Sequence, residues 1–236
     1  MGKALLSVPS FTAGELSPRM EGRTDFQKYY SAGTIINNFV IQPHGPVTRR
    51  PGSVFVSEVK NSAHNTRLIP FSFSTTQTYI LEFGDQYIRF YKDSGQITSG
   101  GAAYEISSPY LHTEVFDIKF AQSADVMYLT HPNHPTKKLS RTGHTNFTLA
   151  TVSFTETSTT HLLNGTGNYP KCVSFFEQRL VFAGTINNPQ TIWFSKSGDY
   201  ENFTTGTADA DAMIYTIASN QVNAIESIKA VSYTHL

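Results

Sequence analysis

From Ser53 onward the chain repeats one arrangement: a short apolar strand, a polar turn, a second apolar strand, then a basic residue close to a small hydroxyl and a glycine. TYILEF (78–83), the turn GDQ and YIRFY (87–91) form the clearest hairpin, with Gly84 and Asp85 at the reversal. DVMYLT (125–130) precedes the turn HPNHP and KKLSR, and RLVFAG (179–184) precedes INNPQ and TIWFS. The second strands of these pairs run into YKDSG, SRTG and SKSG, ending on Gly95, Gly143 and Gly198. A further strand follows each glycine: AAYEI, FTLATVSF and MIYTI. Four short strands at a period of about 40–50 residues fit the blades of a β-propeller. A small sheet with two apolar faces is covered only between two neighbours, which is why such units repeat. A β-sandwich with regular hairpins also shows frequent turn signals. The in-phase recurrence of the basic, hydroxyl and glycine positions favours blades.

Composition agrees with an all-β reading. Charged residues are only 15% and aromatics 13%, with Ser, Thr, Asn, Gln and Gly taking the place of charge. That mixture suits turns and half-exposed strands better than helices. SVFVSEV (53–59), RLIPFSFS (67–74), VFDIKFA (115–121) and VSFFEQ (173–178) complete the strand expectations. Residues 1–52 are different. Proline and glycine flank a stretch, 24–40, that alone could hold a helix through Tyr29, Tyr30, Ile35, Ile36 and Phe39, although Gly33 interrupts it. This segment has too few apolar residues for a core and reads as an extended arm or docking segment. The domain expectation is therefore an arm over 1–52 and a β-propeller-like domain over 53–230. Three blades cannot close a ring, so either the N-terminal strand segment supplies an irregular extra sheet or the chain is incomplete; the last residues, with 231–236 resembling a non-native tail, favour the second.

Chemical sites are sparse. Formal net charge is zero, which gives no global sign of a nucleic-acid or acidic partner. Cys172 is the only cysteine, so no disulfide framework exists within one chain, and its apolar setting reads as a buried small side chain. No apolar run approaches the roughly 18 residues of a membrane helix. His131, His134 and His144 offer imidazoles near a proline-rich turn, but no cysteine pair or acidic cluster accompanies them, so a turn is expected and no metal or other cofactor. No nucleophile elbow or phosphate loop is present, and no catalytic residue is assigned. Glu82, Asp85, Asp117 and Asp125 are the carboxylates a glycosidase would draw on, two of them at turns or strand starts. FSKSGDYENF (194–203) is similar to the Asp-box turn of sialidase-type propellers, but Asp199 follows Gly198, so a structural turn is the better reading. The paired Arg49 and Arg50 in TRRPG suit either a phosphate or a neighbouring subunit's carboxylate, or a solvated turn.

Five stretches in order carry a resemblance: FTAGELSPRMEGRTDFQKYYSAG, NNFVIQPHGPVTRRPGSVFV, LEFGDQYIRFY, HPNHPTKKLSRTG and FSKSGDYENF. Together they resemble the tail tubular protein B, or tail nozzle, family of short-tailed bacteriophages. The N-terminal pair is the most specific. The resemblance implies a structural virion protein with a propeller-like domain, in a hexameric tube that meets tail adaptor and tail fibre proteins and passes genomic DNA. It also implies localisation in the virion, and in the host cytoplasm during assembly. The alternative function is a carbohydrate-binding or glycoside-cleaving propeller acting on host surface glycans.

Overall fold

The structure is a computed structural model that describes residues 7–157, 160–218, 221 and 223–231. Strand makes up 41% and helix 3%, so the chain is all-β. It divides into two compact units, Met1–Phe55 and Val56–Leu236, three residues later than the sequence division at 52.

The larger unit contains three antiparallel meanders. The first runs β1 (Arg67–Ser72), β2 (Thr78–Gly84), β3 (Tyr87–Lys92) and β4 (Glu105–Ser107), with the short Gly95–Gln96 strand added to β3. The second runs β5 (Lys119–Ser123), β6 (Val126–His131), β7 (His134–Gly143) and β8 (Asn146–Thr151). The third runs β9 (Cys172–Phe176), β10 (Arg179–Ala183), β11 (Thr191–Phe194) and β12 (Met213–Thr216). The expected repeat is thus present as three four-strand paths.

Strand alternation places these sheets in series. Along β6, Met127 and Leu129 join Leu81, Phe83, Ile88 and Phe90 of the first sheet in one core. Tyr128, between them, points the other way and joins Val173, Leu180, Phe182 and Trp193 of the third. The middle sheet is covered on both faces and each flanking sheet on one. Among the described residues the series does not close into a ring.

The punctuating glycines are equivalent in place but not in conformation. Gly198 has φ +75°, whereas the turn before Gly95 places Asp93 and Ser94 at φ +51° and +60°. What recurs physically is the cation: Lys92, Arg141 and Lys196 pair with Asp93 (3.1 Å), Asp125 (2.8 Å) and Asp211 (3.1 Å). Each ties a strand end to a nearby turn carboxylate.

Several local expectations fail in whole or in part; of VFDIKFA only Lys119–Ala121 lies in a strand, with a turn over 115–117. SVFVSEV forms no strand, and Val54 and Phe55 are more than four-fifths exposed. Alternation supplies a face, but this stretch has no neighbouring strand to share hydrogen bonds with. The possible helix over 24–40 is reduced to one 3-10 turn, Tyr29–Ser31. Ala32–Gly33 instead extends and pairs in parallel with Gly14–Glu15, which takes the backbone out of helical geometry. Of the suspected non-native tail, 232–236 lies outside the described residues.

The smaller unit is held by local hydrogen bonds. Arg23 donates to both carboxylate oxygens of Asp25 at 2.7 Å, and Glu15 Oε2 accepts from the Ile36 N–H at 2.8 Å. A hairpin pairs Phe39–Ile41 with Val47–Arg49. Among its described residues no hydrophobic side chain is buried.

Candidate assembly surfaces

The outward face of the first sheet combines apolar and polar groups. Leu81 points to the shared core, so its neighbours Ile80 and Glu82 point outward beside Leu68, the cross-strand partner of Glu82. Leu68 and Ile80 are exposed, yet Glu82 is fully buried. Its carboxylate accepts from the Tyr87 hydroxyl at 2.5 Å and from the Tyr91 hydroxyl. Gly84 makes this possible, because a Cβ there would lie 2.3 Å from the Tyr87 ring. Burial, reinforced by the Glu82 hydrogen bond, pushes both phenols above their ordinary range. Gln96 Nε2 donates to the Tyr91 oxygen at 3.1 Å, and Ser57 lies at the same distance. A groove of about 570 Å³, lined by Val56, Val59, Leu68, Ile80, Glu82 and Tyr91, runs over this face. At its margin Lys60 and Arg89 grip Glu105 at 2.6 and 3.1 Å; the Lys60 hydrogen bond leads in holding that carboxyl below the usual range.

The outward face of the third sheet is more apolar. Val181 is buried, Phe176 and Tyr215 are exposed, and the Phe194 and Tyr215 rings meet edge to face at 6.3 Å. Residues 228–231 border a cavity of about 220 Å³ on this face together with Phe176, Val181 and Phe194. That irregular segment is anchored by Ile225, whose N–H donates to Pro189 O at 2.9 Å.

The first strands of the three sheets converge. Arg67 of β1, Phe120 of β5 and Cys172 of β9 line one cavity of about 170 Å³. Arg67 Nη1 donates to the carbonyls of Val115, Phe116 and Ile118 at 3.1, 3.0 and 2.7 Å, fastening the first sheet to the approach to the second. Burial lowers the pKa of this guanidinium. Cys172 is buried, as its sequence setting indicates, and burial pushes its thiol up.

Sequence-level candidates fall in separate places. Arg49 ends the arm hairpin and Arg50 follows it, its N–H donating to Asn38 O at 2.9 Å. Neither side chain has an ion-pair partner among the described residues. Of the glycosidase carboxylates, Glu82 takes two phenols, Asp85 the His112 N–H and Asp125 the Arg141 guanidinium. Lys196 and Asp199 bridge in a tight turn, with Asn202 Nδ2 donating to Asp199 Oδ2 at 3.1 Å, as a structural reading of that segment requires.

His144 meets Tyr79, its Nδ1 lying 2.5 Å from the hydroxyl oxygen, and stands apart from the other two histidines. His131 and His134 gather with Glu114, and His134 Nε2 lies 2.8 Å from its Oε2. A second gathering joins His64, Asp85 and His112. Sequence reasoning missed both, because their members come from separate loops and share no spacing. No protein-family model and no curated protein sequence matches this chain.

Proposed function

We propose that this chain is a structural virion protein, a subunit of a bacteriophage tail tube or nozzle through which DNA is ejected. The carrying observation is the smaller unit. It buries no hydrophobic side chain among its described residues, yet leaves Tyr30, Ile35, Phe39 and Val40 exposed, Ile35 at 70%. A segment with its own hydrogen bonds but no core is completed by lying on another surface. The partly covered outer faces of the first and third sheets support the same reading. Homo-oligomerisation and contacts with adaptor and fibre proteins are the corresponding functions, and on this reading Arg49 and Arg50 take part in such a contact. The hexameric number and the passage of DNA rest on the five-motif resemblance. No helix among the described residues is long and apolar enough to cross a membrane.

The test is assembly. The purified protein should form rings by negative-stain microscopy, with matching mass by light scattering. Replacing Ile35 and Phe39 together by serine should weaken that association. A strictly monomeric protein across the accessible concentration range would overturn the reading. The glycan-cleaving alternative gains no specific support, since Glu82, Asp85 and Asp125 are held by separate local partners.

A further inference from the structure

The loop before β1, the β2–β3 turn and the loop after β4 meet beside the first sheet. Each contributes one group able to ligate a metal: His64, Asp85 and His112, with one ligand atom of each within 4.8 Å of the other two. His64 Nδ1 lies 3.5 Å from Asp85 Oδ2. The other oxygen, Oδ1, accepts from the His112 backbone N–H at 3.0 Å, which orients the carboxylate. The two imidazoles stack, with centroids 4.2 Å apart and planes 11° from parallel.

The anomaly is that His64 Nδ1 and His112 Nδ1 are both buried from solvent and both lack a hydrogen-bond partner. A buried polar atom left without a hydrogen bond is costly. A bound cation removes the cost at both, because the neutral ring that keeps its proton on Nε2 presents a lone pair at Nδ1. Asp85 Oδ2 adds a third donor and a negative charge.

The second gathering lacks this property. The Asn133 N–H donates to His131 Nδ1 at 3.1 Å, so the neutral His131 ring carries its proton on Nε2. That buried Nε2 is therefore a donor without an acceptor, and ligation there would require breaking the Asn133 hydrogen bond. In that gathering Glu114 is held by His134, and His131 by the Asn133 N–H. In the first gathering neither His64 Nδ1 nor His112 Nδ1 is committed to a hydrogen bond.

We propose that His64 Nδ1, His112 Nδ1 and Asp85 Oδ2 bind a divalent transition metal, zinc before others. Two imidazoles and one carboxylate are a zinc-type donor set, whereas calcium and magnesium take oxygen. Three protein ligands leave a coordination position for water. The rings splay from their stack to bring both lone pairs onto one ion. They can do so because all three residues sit on loops or turns, with the His64 and Asp85 side chains each 33% exposed. The ion fastens the loop before β1 to the β2–β3 turn and to the loop after β4, at one margin of the first sheet.

The experiment is zinc titration of the metal-stripped full chain, with Co²⁺ substitution as a spectroscopic reporter. One Zn²⁺ per chain should bind, Co²⁺ should give the visible bands of a low-coordinate nitrogen and oxygen site, and melting temperature should rise with free zinc. His64→Gln and His112→Gln should each weaken binding by at least about 100-fold, beyond the ~10–100-fold typical of losing an outer partner. His134→Gln should leave binding unchanged. Absence of stoichiometric binding by the wild-type chain overturns the proposal. So does binding that survives both His64→Gln and His112→Gln, or that is lost with His134→Gln.

Discussion

The arm hairpin and the middle sheet use the same local grammar and reach opposite outcomes. Phe39 and Val40 lie in a regular antiparallel pair and remain about half exposed. Met127, Tyr128 and Leu129 lie in an equally regular strand, and all three are buried on alternating faces. Strand pairing satisfies backbone hydrogen bonds in both places. Burial requires a second layer, which the middle sheet has on each side and the arm hairpin lacks within its own unit. The stability of this chain therefore resides in the stacked sheets, while the arm hairpin keeps its apolar side chains exposed.

Breaking the stacked region should have the largest effect. Trp193 is 1% exposed and its Nε1–H donates to His161 O at 2.9 Å. Trp193→Ala should cost about 3–5 kcal/mol in urea unfolding. Leu129→Ala, on the opposite interface of the middle sheet, should cost about 2–5 kcal/mol. A loss below 1 kcal/mol at either site would mean the sheets do not share continuous cores. Gly84→Ala should come next, at about 1–3 kcal/mol, because the added Cβ overlaps the Tyr87 ring. Near-ultraviolet circular dichroism should register displaced tyrosine.

The pH response sharpens the comparison further. Burial lowers the pKa of His131, against the raising influence of Glu114 and Asp117 and with His134 adding to the lowering. The unfolded chain then binds the proton first, so the stabilisation is complete above the unfolded value of about 6.5 and is lost as pH falls through the folded value. Urea midpoints measured downward from neutral pH should show this decline, and His131→Asn should flatten it. A wild-type curve without such a decline would contradict burial of a neutral imidazole. The smallest effect is expected in the arm. Ile35→Ser should change monomer unfolding by no more than about 0.5 kcal/mol. A larger loss would show that Ile35 is already covered in the isolated chain.

Much of the sheet grammar was legible. TYILEF and YIRFY form β2 and β3 because their apolar alternation and the Gly84–Asp85 reversal act locally. The turn at Glu177–Gln178 was less visible, since both residues adopt positive φ without the glycine that usually signals it. SVFVSEV misled for the opposite reason, having strand-like alternation without a strand beside it. The carboxylate Glu114 and the histidine His64 could not be matched to their partners from spacing, because those contacts are made across loops. Arg67 gave no sequence signal either; its three carbonyl acceptors exist only once the first sheet lies against the approach to β5.

The sequence by itself determined an all-β chain, the repeated small antiparallel sheets and a coreless arm, because strand alternation, turn chemistry and apolar content are local properties. Tertiary structure alone decided that Tyr128 and Leu129 serve different cores. It also decided that Glu82 is buried beneath two phenols, and that His64, Asp85 and His112 converge. Those outcomes depend on which surfaces meet, and a meeting of surfaces far apart in the chain leaves no fixed spacing to read.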